Sequence, residues 1–160
     1  MTQPRDNSAE KRGVLAIDVG NSRIKLGWFP AAAACTSEKP TVASGLDIAA
    51  PTLPMPAETI GVRHRDRETS EWLSEIHRWC ADTIDVPVWR GLVASVNPAA
   101  ADALVSALSR AGNIVKRITG TELPLAINVE RPERAGIDRL LNAVAARKLV
   151  PSGAVIVVDM

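Results

Sequence analysis

The chain has 160 residues, 46% hydrophobic and 23% charged, an ordinary balance for a globular domain that needs no metal or disulfide staple. Nineteen basic and 18 acidic side chains leave a net charge of +1, which gives no bulk electrostatic case for nucleic acid as a partner. Cys35 and Cys80 match no disulfide framework or zinc spacing, the longest apolar runs are too short to span a bilayer, and the polar start lacks a signal-peptide core, so a cytoplasmic protein without membrane partners is expected.

Residues 1–13 read as a disordered, solvated tail. Val14–Ile17 is a short apolar run ending in Asp18-Val19-Gly20-Asn21-Ser22, and its length and its Gly/Asn boundary favour a strand. Ile24, Leu26 and Trp28 then alternate with Arg23, Lys25 and Gly27, the period of a strand with one buried face. A hairpin across Gly20–Ser22 follows, since Gly and Asn tolerate positive φ. Between Pro30 and Gly61 only Thr41–Ser44 suggests a strand, and the rest reads as loop. Trp72, Ile76, Trp79 and Cys80 form a helical stripe over Thr69–Ile84.

Gly91–Val96 is a further strand, after which Asn97-Pro98 supplies an N-cap and a first-turn proline for a helix ending before Gly112. Ile114–Ile118 reads as a strand, and Leu123–Arg134 as an irregular, proline-broken segment. Gly136–Val150 returns to helix with Ile137, Leu140, Leu141, Val144 and Ala145 inward, and Ala154–Val158 as a last strand. Strands alternating with helices predict an α/β fold, a mixed central sheet with helices on both faces. Gly13–Val19 and Gly153–Met160 echo one another as glycine, apolar strand and terminal aspartate. On that echo, residues 14–152 form a first lobe and 153–160 open a second, truncated one.

Two stretches bear chemistry. An aspartate at a strand end followed by Gly-Asn-Ser suits phosphate and metal: glycine lets backbone N–H groups approach phosphate oxygens, and Asp18 could hold Mg²⁺ directly or through water. Lys25 lies on the face opposite Ile24 and Leu26, within reach of the same oxygens. The competing reading is an ordinary hairpin whose aspartate caps the turn. Gly136-Ile137-Asp138-Arg139 opens a helix whose dipole favours a charged carboxylate in its first turn by about 0.3–1 kcal/mol. Asp138 could take an alcohol proton, and Arg139 could grip a carboxylate in bidentate fashion. Plain helix-start chemistry explains the same residues. His64 and His77 are assigned to surface or packing, the four tryptophans to the core, and neither cysteine has an activating partner.

Taken together, three stretches resemble the type III pantothenate kinases of the sugar kinase, heat-shock and actin superfamily. Ile17–Lys25 resembles the family's first phosphate motif, and Val93–Pro98 its Ser-Val-x-Pro strand end. Pro132–Ala143 resembles the Pro-x-x-x-Gly-x-Asp-Arg segment at the pantothenate site. The likeness spans residues 14–160.

It implies a ribonuclease H-like, actin-like ATPase lobe and transfer of the ATP γ-phosphate to the pantothenate primary hydroxyl, the first step towards coenzyme A. Asp18, Val19, Gly20, Asn21, Ser22, Arg23, Ile24 and Lys25 would contact ATP phosphates, with Mg²⁺ at Asp18. Gly136, Ile137, Asp138 and Arg139 would contact pantothenate, with Asp138 as the base. Asp159 would bind a monovalent cation, K⁺ or NH₄⁺, and the enzyme would work as a homodimer. Ser22 stands where threonine is commoner, and Val129 where many members have a substrate-contacting tyrosine. Members continue beyond this point with Gly-Thr-Ala and a second lobe, so residues 1–160 are expected to be a portion of the kinase, inactive without that lobe. The other readings are a non-catalytic binding or regulatory lobe and a different small-molecule kinase of the superfamily.

Overall fold

A computed structural model describes residues 13–31 and 52–158. In chain order these form β1 (Val14–Val19), β2 (Arg23–Phe29), β3 (Glu58–Arg63), α1 (Thr69–Thr83), β4 (Arg90–Ser95), α2 (Pro98–Arg110), β5 (Ile114–Arg117) and α3 (Ile137–Leu149). The five strands make one mixed sheet in the order β3-β2-β1-β4-β5. β1 runs antiparallel to β2 and parallel to β4, and β5 continues the parallel side.

Alternation along the strands makes the two faces of this sheet unlike. Leu15, Ile17 and Val19 of β1, Ile24, Leu26 and Trp28 of β2, and Val93 of β4 point to one side. There they pack with Trp72, Ile76 and Cys80 of α1 and Ala101, Leu104 and Leu108 of α2, a single buried cluster. α1 and α2 thus present the expected stripes, with Trp79 half-buried beside them. Asn97 caps α2 as expected, its side-chain carbonyl accepting from the Ala100 N–H at 3.2 Å. Gly112 ends the helix with φ +88°, a conformation that favours glycine.

The opposite face carries Ala16, Asp18, Arg23, Lys25, Leu92 and Ala94; among the described residues α3 packs against it over β4, and Pro56 lies over Gly27. The predicted inward stripe of α3 (Ile137, Leu140, Leu141, Val144, Ala145) is half-buried throughout, because one helix cannot cover the face. Leu140 reaches the turn after β5, where a Cβ on Gly120 would come within 2.9 Å of its methyl carbon. That turn is a capping box. The Glu122 carboxylate accepts from the Thr119 N–H at 2.9 Å and meets Lys116 Nζ at 2.6 Å.

Three expectations differ from the structure. Glu58–Arg63 is a strand, not loop, and pairs along β2 from Trp28↔Glu58 to Arg23↔Arg63. Its sequence signal is weak because it is an edge strand interrupted by Gly61, with only Ile60 and Val62 turned to the core. Residues 154–158 form no strand: among the described residues none pairs with them, and Ile156 is 90% exposed. The Gly20–Ser22 hairpin exists, but not through positive φ, which among described non-glycine residues occurs only at Asp66 and among glycines at Gly112 and Gly153. The tail up to Arg12, Thr41–Ser44, Cys35 and Asp159 lie outside the described residues.

Leu104 is completely buried, so Leu104→Ala should cost about 2–5 kcal/mol in urea unfolding, whereas Ile156→Ala should change stability by less than about 0.5 kcal/mol. Lys116 and the Thr119 N–H and hydroxyl hold the Glu122 carboxyl down from the usual 4.5 to about 2. A depressed carboxyl contributes stability above pH 4.5 that is lost as pH falls towards 2. Unfolding curves of the wild type and Glu122→Gln should therefore differ at neutral pH and converge near pH 2.

Candidate active site

The open face of the sheet forms a cleft of about 650 Å³, floored by the small residues Ala16, Gly27, Gly61 and Ala94. Asp18, Arg23 and Lys25 line it from β1 and β2, and Leu141 lines it from α3. Asp18 and Lys25 are direct cross-strand partners, with Oδ2 and Nζ 3.9 Å apart and more than half of each side chain exposed. An exposed pair of this kind adds little to stability. Its chemical value is an anionic oxygen and a cation presented together at the end of β1.

The turn beyond them is held by its carbonyls. The Gly20 N–H donates to the Arg23 carbonyl at 3.0 Å, closing the hairpin. Val19 C=O accepts from the Val96 N–H at 3.1 Å, and Ser22 C=O accepts from the N–H groups of His64 and Arg65 at 3.1 and 3.4 Å. Gly20 C=O accepts from His64 Nε2 at 2.9 Å. The Ser95 hydroxyl accepts from the Asn97 N–H at 2.9 Å and donates to the Asn97 carbonyl at 2.8 Å, with Val19 C=O at 3.4 Å. The Ser95–Pro98 stretch therefore fastens the first motif to β4 and caps α2. The exposed Asn21 and Ser22 form the tip of this turn, between carbonyls that are engaged by the protein.

Not every residue of the first motif faces the cleft. The side chains of Val19 and Ile24 are in the core on the other face, so only their backbone can meet a ligand. Arg23 borders both the cleft and a polar pocket of about 250 Å³ formed with Ser22, Arg63 and Arg65. There Asp66 lies 3.8 and 4.0 Å from Arg63 and Arg65. Arg63 and Arg65 are missed by the sequence reading, although the alternation Arg-His-Arg after Val62 is the signal that splits them from His64 between two faces. His64 is buried beneath the turn and His77 is exposed.

Gly136 to Arg139 opens α3 on the cleft side of the sheet. A Cβ on residue 136 would overlap the Asp138 carboxylate, so glycine is what allows that side chain to fold back over the helix start. Asp138 is half-buried and Arg139 exposed. Leu141 follows Asp138 by three residues, on the same side of α3, and it lines the cleft. The structure thus brings Asp18, Arg23 and Lys25 together in the cleft and sets α3 on the same face of the sheet, where Leu141 is its lining residue; Asp138 is half-buried outside that lining, and Arg139 is at the surface.

A divalent metal fits the donor set. Mg²⁺ takes one or two carboxylates and keeps water and phosphate oxygens for the rest, which a single exposed Asp18 at the cleft satisfies. No cluster of three or more His, Cys, Asp or Glu suited to a metal occurs among the described residues. Cys80 is no nucleophile, as burial pushes its thiol up to about 11. No helix of the described residues is long and apolar enough to cross a membrane.

No curated protein matches the chain closely enough to be counted a relative. A family model described as type III pantothenate kinase matches residues 14–160, the stretch that contains the sheet, the Asp18 hairpin and α3. The mixed sheet and its helices are consistent with the actin-like fold of that family, and this chain belongs to the type III pantothenate kinases.

Proposed function

We propose that Asp18, Lys25 and the Asn21–Ser22 turn hold the phosphates of ATP, while Asp138 takes the proton from the primary hydroxyl of pantothenate. Family membership implies pantothenate kinase activity in coenzyme A synthesis, with ATP and a divalent metal. The assignment of individual roles is supported by one arrangement: the Asp18–Lys25 pair lines a cleft that α3 also lines through Leu141, three residues after Asp138.

Phosphoryl transfer asks little covalent chemistry of a protein and much positioning and charge neutralisation. Lys25 and the turn amides balance charge on the phosphate oxygens, and Asp18 holds Mg²⁺ directly or through water. When bound, Mg²⁺ draws phosphate charge onto itself. As the hydroxyl oxygen of pantothenate attacks the γ-phosphorus and ADP leaves, Asp138 accepts the hydroxyl proton. Its place in the first turn of α3 favours the ionised form that this role needs. Arg139, exposed beside it, is suited to grip the pantothenate carboxylate.

In a version that carries the second lobe, Asp138→Asn should lower kcat for pantothenate phosphorylation by roughly 10²–10⁴-fold, the range for loss of a general base, with KM for ATP unchanged. Turnover at the wild-type level would remove Asp138 from this role. Lys25→Ala should act on the other substrate, raising KM for ATP and leaving KM for pantothenate as it was; the reverse pattern would misassign the hairpin.

A further inference from the structure

We propose that His64 is a positioning residue that keeps the phosphate hairpin in its anion-accepting form, an inference that rests on the reading of Asn21–Ser22 as the phosphate turn. His64 is the buried polar or charged residue of the described chain, at 9% exposure, and it stands 44 residues from the turn that it holds. Its position follows from strand alternation: Val62 and His64 point to the core side, Arg63 and Arg65 to the outer side. The ring lies edge-on to Trp72 of α1, with centroids 6.1 Å apart and planes at 63°. That contact and the backbone bond from His64 N–H to Ser22 C=O fix the imidazole beneath the hairpin.

The nitrogen facing Gly20 C=O must carry a proton, because a carbonyl oxygen can only accept. The consequence is electrostatic. In a two-residue hairpin the carbonyl before the loop ordinarily accepts from the amide after it. Here the Gly20 carbonyl is instead drawn to the protein interior by the imidazole, and only the N–H of Gly20 bonds across to Arg23. Without the imidazole, the peptide joining Gly20 to Asn21 is free to rotate its oxygen towards the solvent side. A carbonyl dipole there would repel the phosphate oxygens that the turn amides attract. Glycine at 20 leaves such a rotation sterically open, so the tether and not the side chain of residue 20 must forbid it.

The test compares His64→Phe, which keeps the ring against Trp72 and loses the donor, with His64→Gln, whose amide N–H can reach the same carbonyl. In the full chain, NMR amide exchange should quicken at least tenfold at Gly20 and Arg65 in the Phe variant. Exchange in α2 and β4 should stay unchanged, and Gln should restore the wild-type rate. Unchanged exchange at Gly20, or equal quickening in α2, would overturn the proposal, since a merely packed histidine would loosen the whole domain. Mg·ATP binding, read by calorimetry, should weaken about tenfold in the Phe variant and recover in the Gln variant. The core variant Ile76→Val, a stability control, should leave it unaltered. Loss of affinity in Ile76→Val equal to that in His64→Phe would also overturn the proposal. If Lys25→Ala binds Mg·ATP as well as wild type does, the phosphate reading fails separately, and the exchange pattern still decides what His64 holds.

Discussion

The register of β1 against β2 is the constraint on which everything else rests. Asp18 lies opposite Lys25, and Val19 opposite Ile24, so two strands wall the core with one set of side chains and the cleft with the other. Slipping β1 by one residue against β2 would turn Asp18 into the core, away from Lys25, and put Leu15, Ile17 and Val19 on the open face. Burial of those residues against α1 and α2 is therefore what holds the charged pair in place on the far side. The chemistry of the open face is positioned by the hydrophobic effect on the closed one.

The three motifs do different physical work. The first supplies the donors and the carboxylate. The second, Val93–Pro98, gives the cleft only the Ala94 methyl: its Ser95 hydroxyl and its backbone tie the end of β1 to the start of α2. The third builds a helix start in which the absence of a side chain at 136 makes room for the carboxylate at 138. A motif match alone does not separate these roles, whereas hydrogen bonds and close approaches do.

Much of this was legible in the residues themselves. A short apolar run with a Gly/Asn boundary marks β1, period-two alternation marks β2, spacings of three and four mark α1 and α2, and Asn97-Pro98 locates the start of α2 to the residue. Local patterns of that kind are written by nearest neighbours. β3 was not legible, since its strand character comes from pairing with β2 across a long connection and its own composition is polar and glycine-broken. For His64 the sequence leaves surface and packing both open; it is buried, and its bond to Gly20 is a tertiary fact that no spacing encodes. The hairpin was foreseen for the wrong reason: its glycine serves close packing, with the Arg23 carbonyl 3.2 Å from where a Cβ would stand, and not a left-handed backbone. For α3 the helix was evident in the apolar stripe, while the extent of its cover depended on how much sheet there was to share.

That partial cover has a thermodynamic corollary. Since no residue of α3 is fully buried, the helix is the least firmly anchored wall of the cleft, and whatever seats against Leu141 adds apolar contact on a side where the fold has little. By mass action, each tenfold rise of free ligand beyond its dissociation constant adds about 1.4 kcal/mol to the folded state. Melting temperature is thus an occupancy gauge for this protein, sensitive at the very helix that carries Asp138.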